Sequence, residues 1–220
     1  MTDIFAIDGP AGSGKSSVSK QVSRELGFGY LDTGAAYRAL AWAVLQGKFD
    51  VESLAETDLD ANFDYDISLD ADDFWVRVGE TDVTSAIRDQ QVAEFVSQVA
   101  RVQPVRDFMK RLTRRLVAES ERAGVVVEGR DITTVVAPDA KIRLLLTASE
   151  EVRLKRRSAE LSPQAAAEVH KQVSQRDRSD SKVVDFMTPA PGVTLVDSTD
   201  LNFVQTVAAV RELIERALGR

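Results

Sequence analysis

The chain has no cysteine among its 220 residues and a single histidine, His170. The first absence excludes disulfides and thiolate metal sites. The second argues against His-based catalytic triads and His-rich metal centres, and His170 itself reads as a solvated helix residue. No apolar run comes near the roughly 18 residues of a membrane span. The opening MTDIFAID passes directly into a core-type strand, so no signal peptide is expected. An excess of positive charge is also lacking: 28 Lys and Arg stand against 35 Asp and Glu, for a net charge of −7. Proteins that hold polymeric nucleic acid by neutralising its phosphates are usually basic. The expected partners are therefore small molecules, with neither polymeric nucleic acid nor a membrane among them. A cytoplasmic monomer is the expectation.

What is present begins with residues 3–17, DIFAIDGPAGSGKSS. Ile4, Phe5, Ala6 and Ile7 form an unbroken apolar run, the pattern of a strand buried on both faces. Gly9, Pro10, Ala11, Gly12, Ser13, Gly14, Lys15 and Ser16 then fit G-x-x-x-x-G-K-[ST], with Ser17 following. A helix-period segment places Val18, Val22 and Leu26 on one face. Glycines let successive N–H groups turn inward around a phosphate, and the new helix adds its positive end. Lys15 supplies a mobile charge for the β/γ-phosphates, and the Ser16 hydroxyl can ligate Mg²⁺. A strand before and a helix after the motif are the context that it requires, so these residues read as a nucleotide-phosphate site.

Further along, the spacing predicts a helix over 15–26 stopped by Gly27, a strand at 28–31, and a helix beginning after Asp32. Arg38 is the one charge between Ala35 and Leu45, and on spacing alone it reads as an exposed helix charge. A short acidic helix is expected over 50–60. At 63–69 the period changes to two, and with 74–78 and a turn at Gly79-Glu80 this predicts a small antiparallel sheet. Trp75 reads as its packing residue rather than a base-stacking platform. Helices are expected at 91–102 and 104–122, and strands at 124–128, 141–147 and 193–196. Thr147 to Glu150 resembles a capping box, and an amphipathic helix closes the chain at 203–218. Residues 158–181 are polar and poor in large apolar side chains, and read as a solvated excursion able to move. Five strands separated by helices give an α/β fold with a five-stranded parallel sheet flanked by helices. In such sheets ligands lie beyond the carboxyl ends of the strands, which makes Arg130 and Asp131 a candidate site.

A phosphate loop alone does not choose among kinases, GTPases, motors and transporter subunits. The asparagines, Asn62 and Asn202, form no N-K-x-D guanine-reading motif, and no L-S-G-G-Q signature is present. What remains is a compact enzyme that holds a second phosphorylated ligand through arginines.

GPAGSGKSS, LDTGAAYR at 31–38, SQVARVQPVR at 97–106, EGRDITTVVAPDAKIRLLLTAS at 128–149, R-D-x-x-D-S at 176–181 and VDST at 196–199 occur in order across almost the whole chain. This ordered set resembles bacterial cytidylate kinases, which act on CMP and dCMP. The resemblance implies a P-loop nucleoside-monophosphate kinase fold in a single unit, with an inserted monophosphate-binding lobe near 33–105 and a mobile helical lid near 153–182. It implies ATP and CMP or dCMP as substrates, with Mg²⁺ as cofactor. Ser97, Arg106 and Asp131 resemble cytosine-reading residues, Arg38 and Arg130 monophosphate clamps with Thr33 beside them, and Arg176 and Asp180 ribose contacts. Lid arginines, of which Arg153 and Arg157 are the expected pair, would complete the catalytic set with Lys15. Two positions depart from the family pattern: Val183 stands where an arginine is usual, with Lys182 before it, and Thr133 stands where glycine is usual. Two alternatives stay open, a kinase for another small acceptor such as UMP and a nucleotide-dependent switch.

Overall fold

Five parallel strands carry the molecule. In the computed structural model, which describes residues 2–159 and 187–220, they are β1 (Asp3–Asp8), β2 (Gly29–Asp32), β6 (Gly124–Gly129), β7 (Ile142–Thr147) and β8 (Thr194–Asp197). Their spatial order is β2-β6-β1-β7-β8. β1 lies at the centre, and Asp8 pairs in register with Gly129 on one side and Leu145 on the other. Asp32 stands opposite Glu128. The carboxyl ends of β1, β2 and β6 therefore converge on one rim.

Side chains alternate across the sheet, so each strand feeds two cores. On one face Phe5, Ile7, Val126, Leu144 and Leu146 meet Val18 and Val22 of α1 (Lys15–Leu26) and Val207, Val210 and Ile214 of the closing helix α7 (Phe203–Ala217). Phe5 stacks on Phe28 with ring centroids 4.8 Å apart. Full burial of such a side chain contributes roughly 1.5–3 kcal/mol. On the other face Ala6, Leu31, Val125 and Val127 pack against α2 (Thr33–Leu45), α4 (Gln90–Ala100) and α5 (Gln103–Ala118). The small residues Ala35, Ala39 and Ala43 of α2 are completely buried, which lets this helix and its neighbours lie close.

The predicted antiparallel sheet is present as β3 (Tyr65–Ile67), β4 (Val76–Val78) and β5 (Thr81–Asp82), and its apolar side joins the α2 core. Trp75 is half-buried beside it, with the Arg77 guanidinium 4.5 Å from its ring centroid. The acidic helix expected over 50–60 is not formed. Residues 51–56 are turns, and a single helical turn, α3 (Leu59–Asn62), follows with Asp58 as its cap. The cause is local: the Ser53 hydroxyl bonds the Asp50 carbonyl, and the Glu52 N–H bonds the Asp50 carboxylate, so side chains outcompete the helix ladder. The capping box is displaced as well. Helix α6 (Glu150–Ala159) is capped by Ser149, whose hydroxyl accepts from the Val152 N–H at 3.4 Å, while Thr147 ends β7. Most of the expected lid, 160–182, lies outside the described residues, together with His170, Arg176, Asp180 and Val183. Among the described residues, no helix is long and apolar enough to cross a membrane.

Candidate active site

The loop between β1 and α1 is shaped by steric exclusion. Gly12 has φ 74°, and a Cβ there would stand 2.4 Å from the Arg153 carbonyl oxygen. A Cβ at Gly9 would stand 2.2 Å from that of Leu146. The loop folds back through the Ser13 N–H, which bonds the Pro10 carbonyl at 3.3 Å, and Gly14, at φ 86°, opens α1. No acidic residue occupies the first turn of α1, so no carboxylate of its own offsets its positive end. Ser16 and Ser17 are exposed there, and the Lys15 ammonium lies 3.4 Å from the Pro10 carbonyl.

Three arginines take alternate carbonyls of this loop. Arg130 donates to Gly9 at 3.4 Å, Arg153 to Ala11 at 2.9 Å and Arg156 to Ser13 at 3.3 Å. Satisfying the carbonyls from outside leaves the opposite side of the loop to its N–H groups. Arg153 is only 5% exposed and fixed against the loop backbone, which differs from the mobile lid arginine expected from the sequence. Arg157, further along α6, is half-buried. Arg156, to which sequence reasoning gave no role, also donates to the Ser198 hydroxyl and to the carbonyls of Ser198 and Leu201.

Across from the loop, Asp32 caps α2 by accepting the Ala35 N–H at 3.1 Å, and it accepts Arg38 Nη2 at 2.7 Å. Arg38 is therefore a paired, largely buried group, not the solvated helix charge that spacing alone suggests. Burial alone would raise the Asp32 carboxyl, but the Arg38 guanidinium outweighs it, with help from Lys15 and Arg88, and holds it below its ordinary value. Arg88, on a 3-10 turn at Ala86–Arg88, was not picked out from the sequence. Beside this pair, Thr33 donates to the Glu128 carbonyl at 2.8 Å, and Tyr30 donates to the Glu128 carboxylate at 2.8 Å. Burial, then the Asp32 charge, push Glu128 up, against the pull of Lys15. Its Oε2 is buried without a hydrogen-bond partner.

A third group lies beside Thr33. Arg106 donates to Asp131 at 2.9 Å, with side chains 14% and 16% exposed, and the two share a narrow cleft with Thr33, Tyr37 and Val135. Burial, and after it the Asp131 charge, raise the Tyr37 phenol. Ser97 is half-buried on α4 and is not hydrogen-bonded to the Arg106–Asp131 pair. The structure thus gathers Lys15, Arg130 and Arg153 around the loop, sets the Arg38 pair within electrostatic reach of Lys15, and places Arg106 and Asp131 next to Thr33. Tyr37, Arg88 and Arg156 escaped notice because long-range pairing leaves no mark in local spacing.

A parallel sheet whose central strand runs into such a loop, with two arginine–aspartate pairs beside it, is that of a P-loop phosphotransferase. The chain belongs to the cytidylate kinase family, nucleoside-monophosphate kinases whose family model, described as Cytidylate kinase, matches residues 5–216. It is 45% identical over 215 residues to a cytidylate kinase of Cutibacterium acnes, covering 96% of this chain and 95% of that one. A cytidylate kinase of Mycobacterium leprae is 40% identical, with 100% and 99% covered. One from Streptomyces avermitilis is also 40% identical, with 96% and 92% covered. A crystal structure of a Thermus thermophilus protein covers 98% of both chains with TM-score 0.51 at 19% identity, a likeness of fold alone.

Proposed function

We propose that this chain transfers the γ-phosphoryl group of ATP to CMP or dCMP, giving ADP and CDP or dCDP, as a monomer in the cytoplasm. The observation that carries the reading is one cationic group held at the loop and a second whose carboxylate partner feels the charge of Lys15. Arg130 reaches the Gly9 carbonyl, and Arg38 offers a buried, unpartnered Nε beside Asp32. Residues 9–17 cradle the ATP phosphates, with Lys15 on the β/γ-oxygens. Arg38 and Arg130, flanked by Thr33, clamp the acceptor monophosphate. Ser97, Arg106 and Asp131 read the base. Arg176 and Asp180 hold the ribose, an assignment that rests on the resemblance alone. Arg153 and Arg157 line the donor side.

The acceptor atom is an ionised phosphate oxygen, since the second pKa of a phosphate monoester is about 6. No general base is required. The task is to hold two polyanions in line and to stabilise charge on the transferring group, which suits a site built from arginines and a lysine. Excluding water prevents hydrolysis from competing.

The donor set suits Mg²⁺. Among the described residues no three or more His, Asp or Glu side chains gather into a metal cage. An ion that keeps most of its waters and binds through one or two protein oxygens and phosphates needs none. Ser16 offers an exposed hydroxyl, with the Glu128 carboxylate beside it. Bound there, Mg²⁺ would neutralise charge across the β- and γ-phosphates. The decisive experiment measures ADP formation from magnesium ATP against single monophosphates. Turnover that requires CMP or dCMP supports the reading. A preference for UMP would favour a different acceptor, and acceptor-independent hydrolysis a switch.

A further inference from the structure

Asp8 is the last residue of β1, 2% exposed, and the phosphate loop begins at the next residue. Its Oδ1 accepts the Ile132 N–H at 2.9 Å, and its Oδ2 accepts both the Thr133 N–H at 2.8 Å and the Thr133 hydroxyl at 2.6 Å. Thr133, 4% exposed, lies in a single π-helical turn, Ile132–Val136, directly after Arg130 and Asp131. The Thr133 carbonyl accepts from Arg143 Nη1 at 3.2 Å, and Nη2 of the same arginine donates to the Pro191 carbonyl at 3.1 Å. A continuous chain of bonds thus runs from the root of the loop at 9–17, through the turn that follows Arg130 and Asp131, to Pro191.

We propose that Thr133 is a positioning residue, whose hydroxyl acts through Asp8 to hold the turn bearing Arg130 and Asp131 in one fixed registry with the loop at 9–17. The proposal rests on the kinase reading above. Two backbone N–H groups fix where the turn sits, but the hydroxyl completes the shell of a carboxylate that water does not reach. Burial pushes the Asp8 carboxyl up, and the Thr133 hydroxyl is the foremost of the groups that pull it back, ahead of the two N–H groups and the Lys15 charge. Without that hydroxyl the buried Oδ2 keeps only the Thr133 N–H, and the turn can relieve the deficit only by moving. Arg130 moves with it, because only Asp131 separates the two in the chain. The resemblance expects glycine at this position, which would offer Asp8 no hydroxyl.

Thr133→Val removes the hydroxyl at nearly constant shape, and Thr133→Ser restores it without the methyl. We expect kcat for CMP to fall about tenfold in the valine variant, as a small misplacement of reacting groups does. KM for both substrates should stay within about twofold. Amide exchange at 132 and 133 should quicken, and the serine variant should regain both kcat and protection. A valine variant with unchanged kcat overturns the proposal, as does a serine variant that fails equally. If the valine variant does not fold, Thr133→Ala is read in the same way. Should the wild-type protein not turn CMP over at all, the kinase reading fails instead. Exchange then decides alone, and equal protection in wild-type and valine proteins overturns the anchor.

Discussion

Arg38 and Asp32 face each other across the first turn of α2: Nη2 donates to Oδ2 at 2.7 Å, while the buried Nε of the same guanidinium has no hydrogen-bond partner. One edge of the fork is occupied by a carboxylate that orients it, and under the proposed function the guanidinium would also meet the acceptor phosphate. A guanidinium can serve both at once; an ammonium is a point charge and cannot. Arg38→Lys should therefore raise KM for CMP and cut kcat/KM by about 100-fold, with ATP binding unchanged. Steady-state kinetics with varied CMP check this, and wild-type behaviour from lysine would remove Arg38 from the acceptor site.

Arg130 bridges the two halves of the site, since it touches the donor loop and precedes Asp131, the partner of Arg106. Arg130→Ala should lower turnover by about 100-fold or more, the scale for losing a preorganised donor to developing charge, while thermal unfolding stays cooperative.

Asp131→Ala should instead erode discrimination. A pocket that hydrogen-bonds a base rejects the wrong one because buried groups lose their partners. The ratio of kcat/KM for CMP over UMP should fall towards one, and an unchanged ratio would take Asp131 out of base reading.

The Asp32 carboxyl is held below its ordinary value of 3.8 in the folded protein. A carboxyl depressed by folding contributes stability above its unfolded pKa and loses it as pH falls through the folded value. The stability gap between wild type and Asp32→Asn should accordingly be full from pH 5 upward and narrow below about pH 4. Thermal melts across that range test it, and a gap that does not vary with pH would contradict the pairing.

Gly12→Ala tests the loop. A side chain at φ 74° costs about 1–2 kcal/mol, and its Cβ would collide with the Arg153 carbonyl. Magnesium ATP should then give little thermal stabilisation, whereas the wild-type protein should gain several degrees at saturating nucleotide.

The parts legible in the sequence are those where one residue type is demanded at a fixed spacing. The glycines at 9, 12 and 14 announced the loop, and buried strands such as Val125 to Val127 announced the sheet. What stayed hidden depends on partners distant in sequence. The Arg156 contacts join 13, 198 and 201, and Tyr30 meets Glu128 across neighbouring strands. The acidic stretch at 50–60 misled for the opposite reason, because its pattern suited a helix while Asp50 and Ser53 supplied turns. Thr133, in the sequence only a departure from the family pattern, donates its hydroxyl to Asp8.

The central claim is direct passage of a phosphoryl group between two nucleotides held in one pocket. ATP labelled in its γ-phosphate, incubated with Mg²⁺, CMP and the purified chain, tests this most directly. The label should appear in the β-phosphate of CDP in equal amount to the ADP formed. Label released as inorganic phosphate, with CMP unchanged, would contradict the account.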